Sequence, residues 1–140
     1  MREIRLAESD AEIAACFVVM SQLRPKLEER SFVEIIRRQQ AEGYRFAFAA
    51  EESRVVAVAG YRIHHKLSSG KTMYVDDLVT DAAARSQGHG KALLGWLIDE
   101  ARADGCASFT LDSGTQRHEA HAFYFRERMR AVAFHFHLSL

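Results

Sequence analysis

The sequence predicts an α/β protein: a central mixed sheet with helices on both faces, its elements in the order β-α-α-β-β-β-α-β-α-β. Three observations carry this. Apolar residues recur at helical spacing in four stretches, most of them opened by a capping signal or closed by a stop signal. Runs rich in aromatic and β-branched residues lie between them, and three of these follow one another across short turns, the pattern of antiparallel hairpins. A strand, a helix and a strand then succeed each other, which makes a βαβ crossover.

In chain order, residues 3–6 read as a first strand. Ser9-Asp10-Ala11-Glu12 fits a capping box, with a Ser side chain for the helix N–H groups and a Glu three residues on to reach back. Ile13, Ala14, Phe17, Val18 and Met20 then recur at helical spacing as far as Arg24-Pro25, because a residue before proline disfavours helix. A second box, Ser31-Phe32-Val33-Glu34, is expected to open a helix carrying Phe32, Ile35 and Ile36 on one side, with Gly43 as its stop. Residues 44–50 and 54–64 are strands around a Glu51-Glu52-Ser53 turn, and residues 72–80 are the third strand of that group. Leu93, Leu94, Leu97, Ile98 and Ala101 mark the next helix, stopped by Gly105. A strand over 106–111, a helix over 118–130 and a last strand over 132–138 complete the order.

Composition sets bounds on function. One domain spanning residues 1–140 is expected, long enough for a real core. Basic and acidic residues balance at 19 each, and a general nucleic-acid binder would show a basic excess. No apolar run approaches the roughly 20 residues of a membrane span, and Met1-Arg2-Glu3-Ile4 opens no signal-peptide pattern. Cys16 and Cys106 form no disulfide framework. The expected setting is a reducing cytoplasm, without nucleic acid or membrane as partner.

The most informative stretch runs from Val79 through Arg85-Ser86-Gln87-Gly88-His89-Gly90-Lys91 into Leu94. A strand ends in a polar, glycine-bearing turn that leads straight into a helix. The first turn of a helix has N–H groups without intrahelical partners, and the helix dipole favours an anion there. Gly88 and Gly90 let the backbone approach a phosphate, and Arg85 and Lys91 add positive charge. Two common phosphate motifs fail: Leu93 stands where a dinucleotide fingerprint needs glycine, and Ala92 where a P-loop needs Ser or Thr. The alternative reading is a loop whose glycines only turn the chain.

Arg85-x-x-Gly88-x-Gly90 resembles the pyrophosphate loop of the GNAT superfamily of N-acetyltransferases, and the order of elements agrees with it along nearly the whole chain. The resemblance implies acetyl-coenzyme A as co-substrate, no metal, and an amine of a small molecule or peptide as acceptor. Arg85, Ser86, Gln87, Gly88, His89, Gly90 and Lys91 would hold the pyrophosphate, with the His89 ring at the surface. Backbone N–H groups of Leu78, Val79 and Thr80 would meet the acetyl carbonyl and the pantetheine chain. Tyr124, in Ala120-His121-Ala122-Phe123-Tyr124, matches the family tyrosine that protonates the departing thiolate. A phenol with a pKa of about 10 is protonated at neutral pH and can donate to sulfur. The alternative for Tyr124 is a half-buried core tyrosine. Many relatives carry Gly-Phe a few residues later, where this chain has Glu127-Arg128-Met129-Arg130.

Asp77 or Asp112 is the expected general base. Asp76 and Asp77 are neighbours on one strand, so regular alternation would let at most one face a cleft. Each of these carboxylates has a solvated or turn-capping role as its alternative. His118 and His121 could share a helix face, and His135 and His137 a strand face. Zinc sites usually gather three or four ligands, so packing or surface histidines are the reading taken. Arg117 stands where relatives have a pantetheine-binding asparagine, and it reads as a phosphate contact, an acceptor contact or a solvated cation. Two non-enzymatic alternatives stand beside the transferase: a coenzyme A-binding sensor, and an interaction module with the same fold. A homodimer through the last strand is implied by analogy alone.

Overall fold

A computed structural model describes residues 1–140. The chain divides into two compact units, Met1–Thr110 and Leu111–Leu140, each described by itself. The first holds β1 (Arg2–Leu6), α1 (Asp10–Ala15), α2 (Phe17–Leu23), α3 (Glu29–Gln40), β2 (Arg45–Glu51), β3 (Arg54–Lys66), β4 (Gly70–Thr80), a 3-10 turn (Ala82–Ala84), α4 (His89–Ala103) and most of β5 (Ser108–Leu111). The second holds α5 (His118–Arg126). The five strands form one mixed sheet in the order β1-β2-β3-β4-β5, antiparallel from β1 to β4, and α4 carries the chain from β4 to β5.

The strands bury both faces, and alternation shows how. Phe46, Phe48 and Ala50 of β2 join Ile13, Cys16, Met20, Phe32 and Ile36 in one core cluster with α1–α3. Ala47 and Ala49, equally buried, point the other way. Small side chains there let α4 lie against β2, β3 and β4 and bury Leu93, Leu94, Leu97 and Ala101. In that face-by-face sense the sheet is the one the hydrophobic pattern predicts.

Several elements differ from expectation. The first helix is two. Ser9 caps α1 with a complete capping box, but the Cys16 N–H turns to Ile13 at i−3, tightening the turn before α2 begins. The buried stripe is therefore Ile13, Cys16, Val19 and Met20, while Val18 is 64% exposed and Ala14 lies outside the core. Burial also pushes the Cys16 thiol up to about 12, so it packs as a small apolar group. The second capping box does not form. The helix starts at Glu29, and Ser31, already helical, donates its hydroxyl to the Glu28 carbonyl. The stops at Gly43 and Gly105 stand, both at positive φ.

The strand expected over 132–138 is absent. α5 ends at Arg126, and Arg128 adopts φ +69 in a Schellman turn, its N–H donating to Phe125 and that of Met129 to Tyr124. Residues 131–140 carry no regular structure and are exposed. Alternating apolar residues specify a strand only where another strand supplies the hydrogen bonds, and none in this chain does.

Candidate active site

β4 ends at Thr80, and the turn after it is built by side chains. Asp81 accepts from the Ala83 N–H at 3.1 Å and from the Gln22 amide at 3.1 Å. Gln22, at the end of α2, returns a bond by accepting from the Ala82 N–H at 2.9 Å. These contacts, the Ala83 N–H first, hold the Asp81 carboxyl below the usual carboxylate range. Ala84 is buried beneath, and the exposed loop Arg85-Ser86-Gln87-Gly88 follows. Gly88 sits in the left-handed region at φ 81, ψ 10, and its carbonyl takes the first intrahelical bond, from Ala92.

That first turn is open and free of negative charge. No side chain caps it and no acidic residue lies in it. The N–H groups of His89, Gly90 and Lys91 stand at the positive end of a 15-residue helix, flanked by the exposed cations Arg85 and Lys91. By contrast, α1 carries Asp10 and Glu12 in its first turn and fills its own cap.

His89 corrects the surface placement expected of its ring. It is 4% exposed, and Nδ1 accepts from Arg2 Nε at 3.1 Å. The proton of the neutral ring is thereby placed on Nε2, which is buried without a partner. The same Arg2 donates through Nη2 to the Gln87 carbonyl at 3.1 Å. A residue of β1 thus holds the loop at two points.

β4 carries a bulge. Gly60 pairs with Asp77 and Tyr61 with Val75, so Asp76 has no partner on β3. The extra residue defeats alternation and sends both carboxylates toward α2 and α3, correcting the expectation that only one could face that side. Asp77 accepts from the Tyr44 hydroxyl at 2.7 Å and from Arg24 at 2.9 Å, and its side chain is 16% exposed. Asp76 pairs with Arg62 at 3.1 Å, Arg62 also donates to Gln39 of α3, and its guanidinium lies over the Tyr44 ring. Burial raises the Asp76 carboxyl above its ordinary value, partly offset by Arg62, and Oδ1 is buried without a partner. Burial, then the Asp77 charge, push the Tyr44 hydroxyl up and keep it a donor. Gly60 makes this possible: a Cβ there would stand 1.6 Å from the Tyr44 oxygen.

Leu78, Val79 and Thr80 follow on β4, paired on one side with Ala59, Val58 and Ala57. On the other side β5 is short, four residues against eleven, and Ala107 N–H joins it to β4 near the start, at the Lys71 carbonyl. At about one residue per strand step, β5 ends well before Leu78.

In the second unit Tyr124 lies on α5, half-buried against Phe123 at 5.4 Å between ring centres, with Phe125 turned to solvent. Burial raises its hydroxyl above the ordinary tyrosine value, and the charge and hydrogen bond of Arg117 pull it part of the way back. Arg117 is therefore a neighbour of the phenol rather than a freely solvated cation. Asp112 pairs with His135 at 2.8 Å. His118 and His121 do share a helix face, with ring centres 6.1 Å apart, and His121 Nε2 is 2.8 Å from the Gly114 carbonyl. No group of three or more His, Cys, Asp or Glu converges anywhere in the chain.

The model of the acetyltransferase (GNAT) family matches residues 9–129. The chain belongs to that family. Among relatives, it is 33% identical over 125 residues to the uncharacterized N-acetyltransferase YhdJ of Bacillus subtilis strain 168, covering 89% of this chain and 88% of that one. The fold matches a Trypanosoma brucei acetyltransferase over the whole of both chains, with TM-score 0.82 and 24% identity. It also matches the aminoglycoside N-acetyltransferase AAC(6')-Iy in complex with CoA, with TM-score 0.86 and 14% identity, over 100% of this chain and 95% of that one.

Among GNAT features, the loop motif and its helix were readable from spacing. Arg2, Gln22 and Tyr44 were not. Each reaches its contact across 85, 60 or 33 residues of sequence, and no local pattern marks such a partner. The nearest signals were an isolated cation at the chain start and a glycine, Gly60, inside a strand pattern, which often marks a bulge or a close approach.

Proposed function

We propose that this GNAT protein transfers the acetyl group of acetyl-coenzyme A to a primary amine by direct attack within a ternary complex. The observation that carries this reading is the first turn of α4: uncapped, free of acidic side chains, opened by Gly88 at positive φ, and flanked by Arg85 and Lys91. Those residue types in that geometry suit a pyrophosphate, which needs several N–H donors and a local positive field. Arg85, Ser86, Gln87, Gly88, His89, Gly90 and Lys91 supply them.

The remaining roles follow the chemistry of acyl transfer. Backbone N–H groups of Leu78, Val79 and Thr80 hold the carbonyl oxygen as negative charge develops on it. The amine nitrogen forms its bond to the carbonyl carbon, and the carbon–sulfur bond breaks. Tyr124 gives its phenolic proton to the departing thiolate; burial favours the protonated phenol that this requires. Asp77 receives the proton lost by the amine, through water. Both its oxygens already accept one bond, and each keeps a second lone pair. Asp112, tied to His135, is the other carboxylate that could fill this role. The acceptor is an amine of a small molecule or peptide, and no helix here is long and apolar enough to cross a membrane.

The test is titration calorimetry with acetyl-coenzyme A on the parent and on a Gly88→Glu/Gly90→Glu variant. The variant places two carboxylates where the pyrophosphate would sit. Binding by the parent and its loss in a variant that still melts cooperatively are the expected results. A folded parent that does not bind would end the acetyltransferase reading. With binding in hand, Tyr124→Phe is expected to leave affinity near the parent's and to lower kcat about 10²–10⁴-fold in an amine screen.

A further inference from the structure

The turn between α2 and α3 is short and anchored at both ends. Leu23 and Leu27 pack against the core cluster, and between them stand Arg24, Pro25 and Lys26, all exposed. The Arg24 N–H donates to the Met20 carbonyl at 2.9 Å, and the Leu27 N–H to the Arg24 carbonyl at 3.1 Å, which closes a turn with Pro25 at its second position. Proline fixes one backbone angle there and restricts the residue before it. The backbone under Arg24 is therefore held, although the side chain is 50% exposed.

That side chain lies over β4. Nε and Nη2 each stand 2.9 Å from Asp77 Oδ1, and Nη2 also donates to the Asp76 carbonyl at 3.0 Å. Nη1, with two N–H groups, has no partner, so one side of the guanidinium is occupied and the other is open. Asp77 does not depend on this contact. Its Oδ2 accepts from the buried Tyr44 hydroxyl at 2.7 Å, a bond that stays when Arg24 moves. With both carboxylates ionised, Asp76, Asp77 and Arg62 together leave one negative charge, and Arg24 sets one positive charge beside it. Two opposite charges side by side match a ligand that carries an ammonium and an anion close together. A partly exposed ion pair is worth little in water, so exchanging Asp77 for a ligand anion costs Arg24 little. A guanidinium holds carboxylate and phosphate alike, by parallel N–H bonds.

We infer that Arg24 is a specificity-determining residue, which reads an anionic group, carboxylate or phosphate, carried by the acceptor close to its amine. Without acceptor, Arg24 covers Asp77. With it, the acceptor anion draws the guanidinium away, and the acceptor ammonium takes the freed Asp77 oxygen, to which it then gives its proton. An uncharged amine has no anion to exchange and meets Asp77 still covered. This inference rests on the transferase reading and names the acceptor class for it.

The experiment measures acetyl transfer from acetyl-coenzyme A, by mass spectrometry of the products, to matched amines: β-alanine against aminopropanol, γ-aminobutyrate against aminobutanol, and phosphoethanolamine against ethanolamine. It compares the parent with Arg24→Gln and Arg24→Lys, each checked for fold by circular dichroism. The readout is the ratio of kcat/KM for the anionic and neutral members of a pair, in which any common effect on Asp77 cancels. The parent is expected to favour the anionic member about tenfold or more in at least one pair, the scale of a single charge-assisted contact. Which pairs show it separates carboxylate from phosphate. Arg24→Gln is expected to bring that ratio to about one, and Arg24→Lys to keep part of it. A parent that acetylates the neutral members as readily, or acetylates no anionic member, would overturn the inference. A ratio that survives Arg24→Gln would assign the anion to another residue and overturn it too. The transferase reading itself fails by a separate sign, a folded parent that does not bind acetyl-coenzyme A.

Discussion

Arg128 holds a backbone conformation that suits glycine. Its φ of +69 lies in the left-handed region, where a Cβ crowds the following carbonyl at a cost of about 1–2 kcal/mol. The Schellman bonds from Arg128 and Met129 to the end of α5 require that conformation whatever residue stands there. Arg128→Gly is therefore expected to stabilise the protein by about 0.5–1 kcal/mol, once the greater freedom of glycine in the unfolded chain is subtracted. Thermal melting reads this as a midpoint about 1–4 °C higher. Arg2 makes a different argument. Its two bonds to the loop are made by an exposed guanidinium to a buried imidazole and a carbonyl, and a lysine lacks the second donor set to copy them. Arg2→Ala is expected to raise the KM for acetyl-coenzyme A about tenfold, equivalent to about 1.4 kcal/mol, with Arg2→Lys little better. The KM for S-acetylpantetheine, which lacks the pyrophosphate, should not move. Equal losses for both substrates would make Arg2 a structural residue only.

Two helices show opposite uses of an N-terminus. α1 satisfies its own: Glu12 accepts from the Ser9 and Glu8 N–H groups and pairs with Arg5, and those contacts, the Ser9 N–H first, lower its carboxyl to about 2. A carboxylate depressed in the folded state stabilises fully above its unfolded value near 4.5, and that contribution fades as pH falls toward 2. Urea midpoints of the parent and Glu12→Gln should therefore differ by a constant amount from about pH 8 to pH 5, with the parent higher. The gap should close steadily below pH 4.5. A gap independent of pH would mean that the carboxylate charge is irrelevant to the cap. α4 leaves its N-terminus without a side-chain cap, and the difference is visible in sequence as Ser9 and Glu12 against Gly88 and Lys91. The bulge in β4 was not visible. A strand bearing Asp76-Asp77 reads as two faces until the β3 register, with Gly60 opposite Asp77, shows that one residue is extra.

Local rules reached far in this chain. Periodicity placed strands and helices through residue 126, capping chemistry set the start of α1, and Gly43 and Gly105 marked two helix ends at positive φ. The Arg85-x-x-Gly88-x-Gly90 motif was legible because its geometry is local: a turn, two glycines and a helix start, contiguous in sequence. The failures share one cause. The Arg2 contact to His89, the Gln22 clasp on the turn, and the gathering of Tyr44, Arg62 and both β4 carboxylates join residues distant along the chain. The pattern over 132–138 is equally local, and there it specified a strand that the single chain does not form. Amino-acid order by itself determined the elements as far as α5, the family and the glycine-bearing turn into α4, since these depend on residue type and spacing. Tertiary structure decided which groups meet and whether a strand finds a partner, because hydrogen bonding across a sheet, and the direction of a side chain at a bulge, are set by neighbours that sequence spacing does not name.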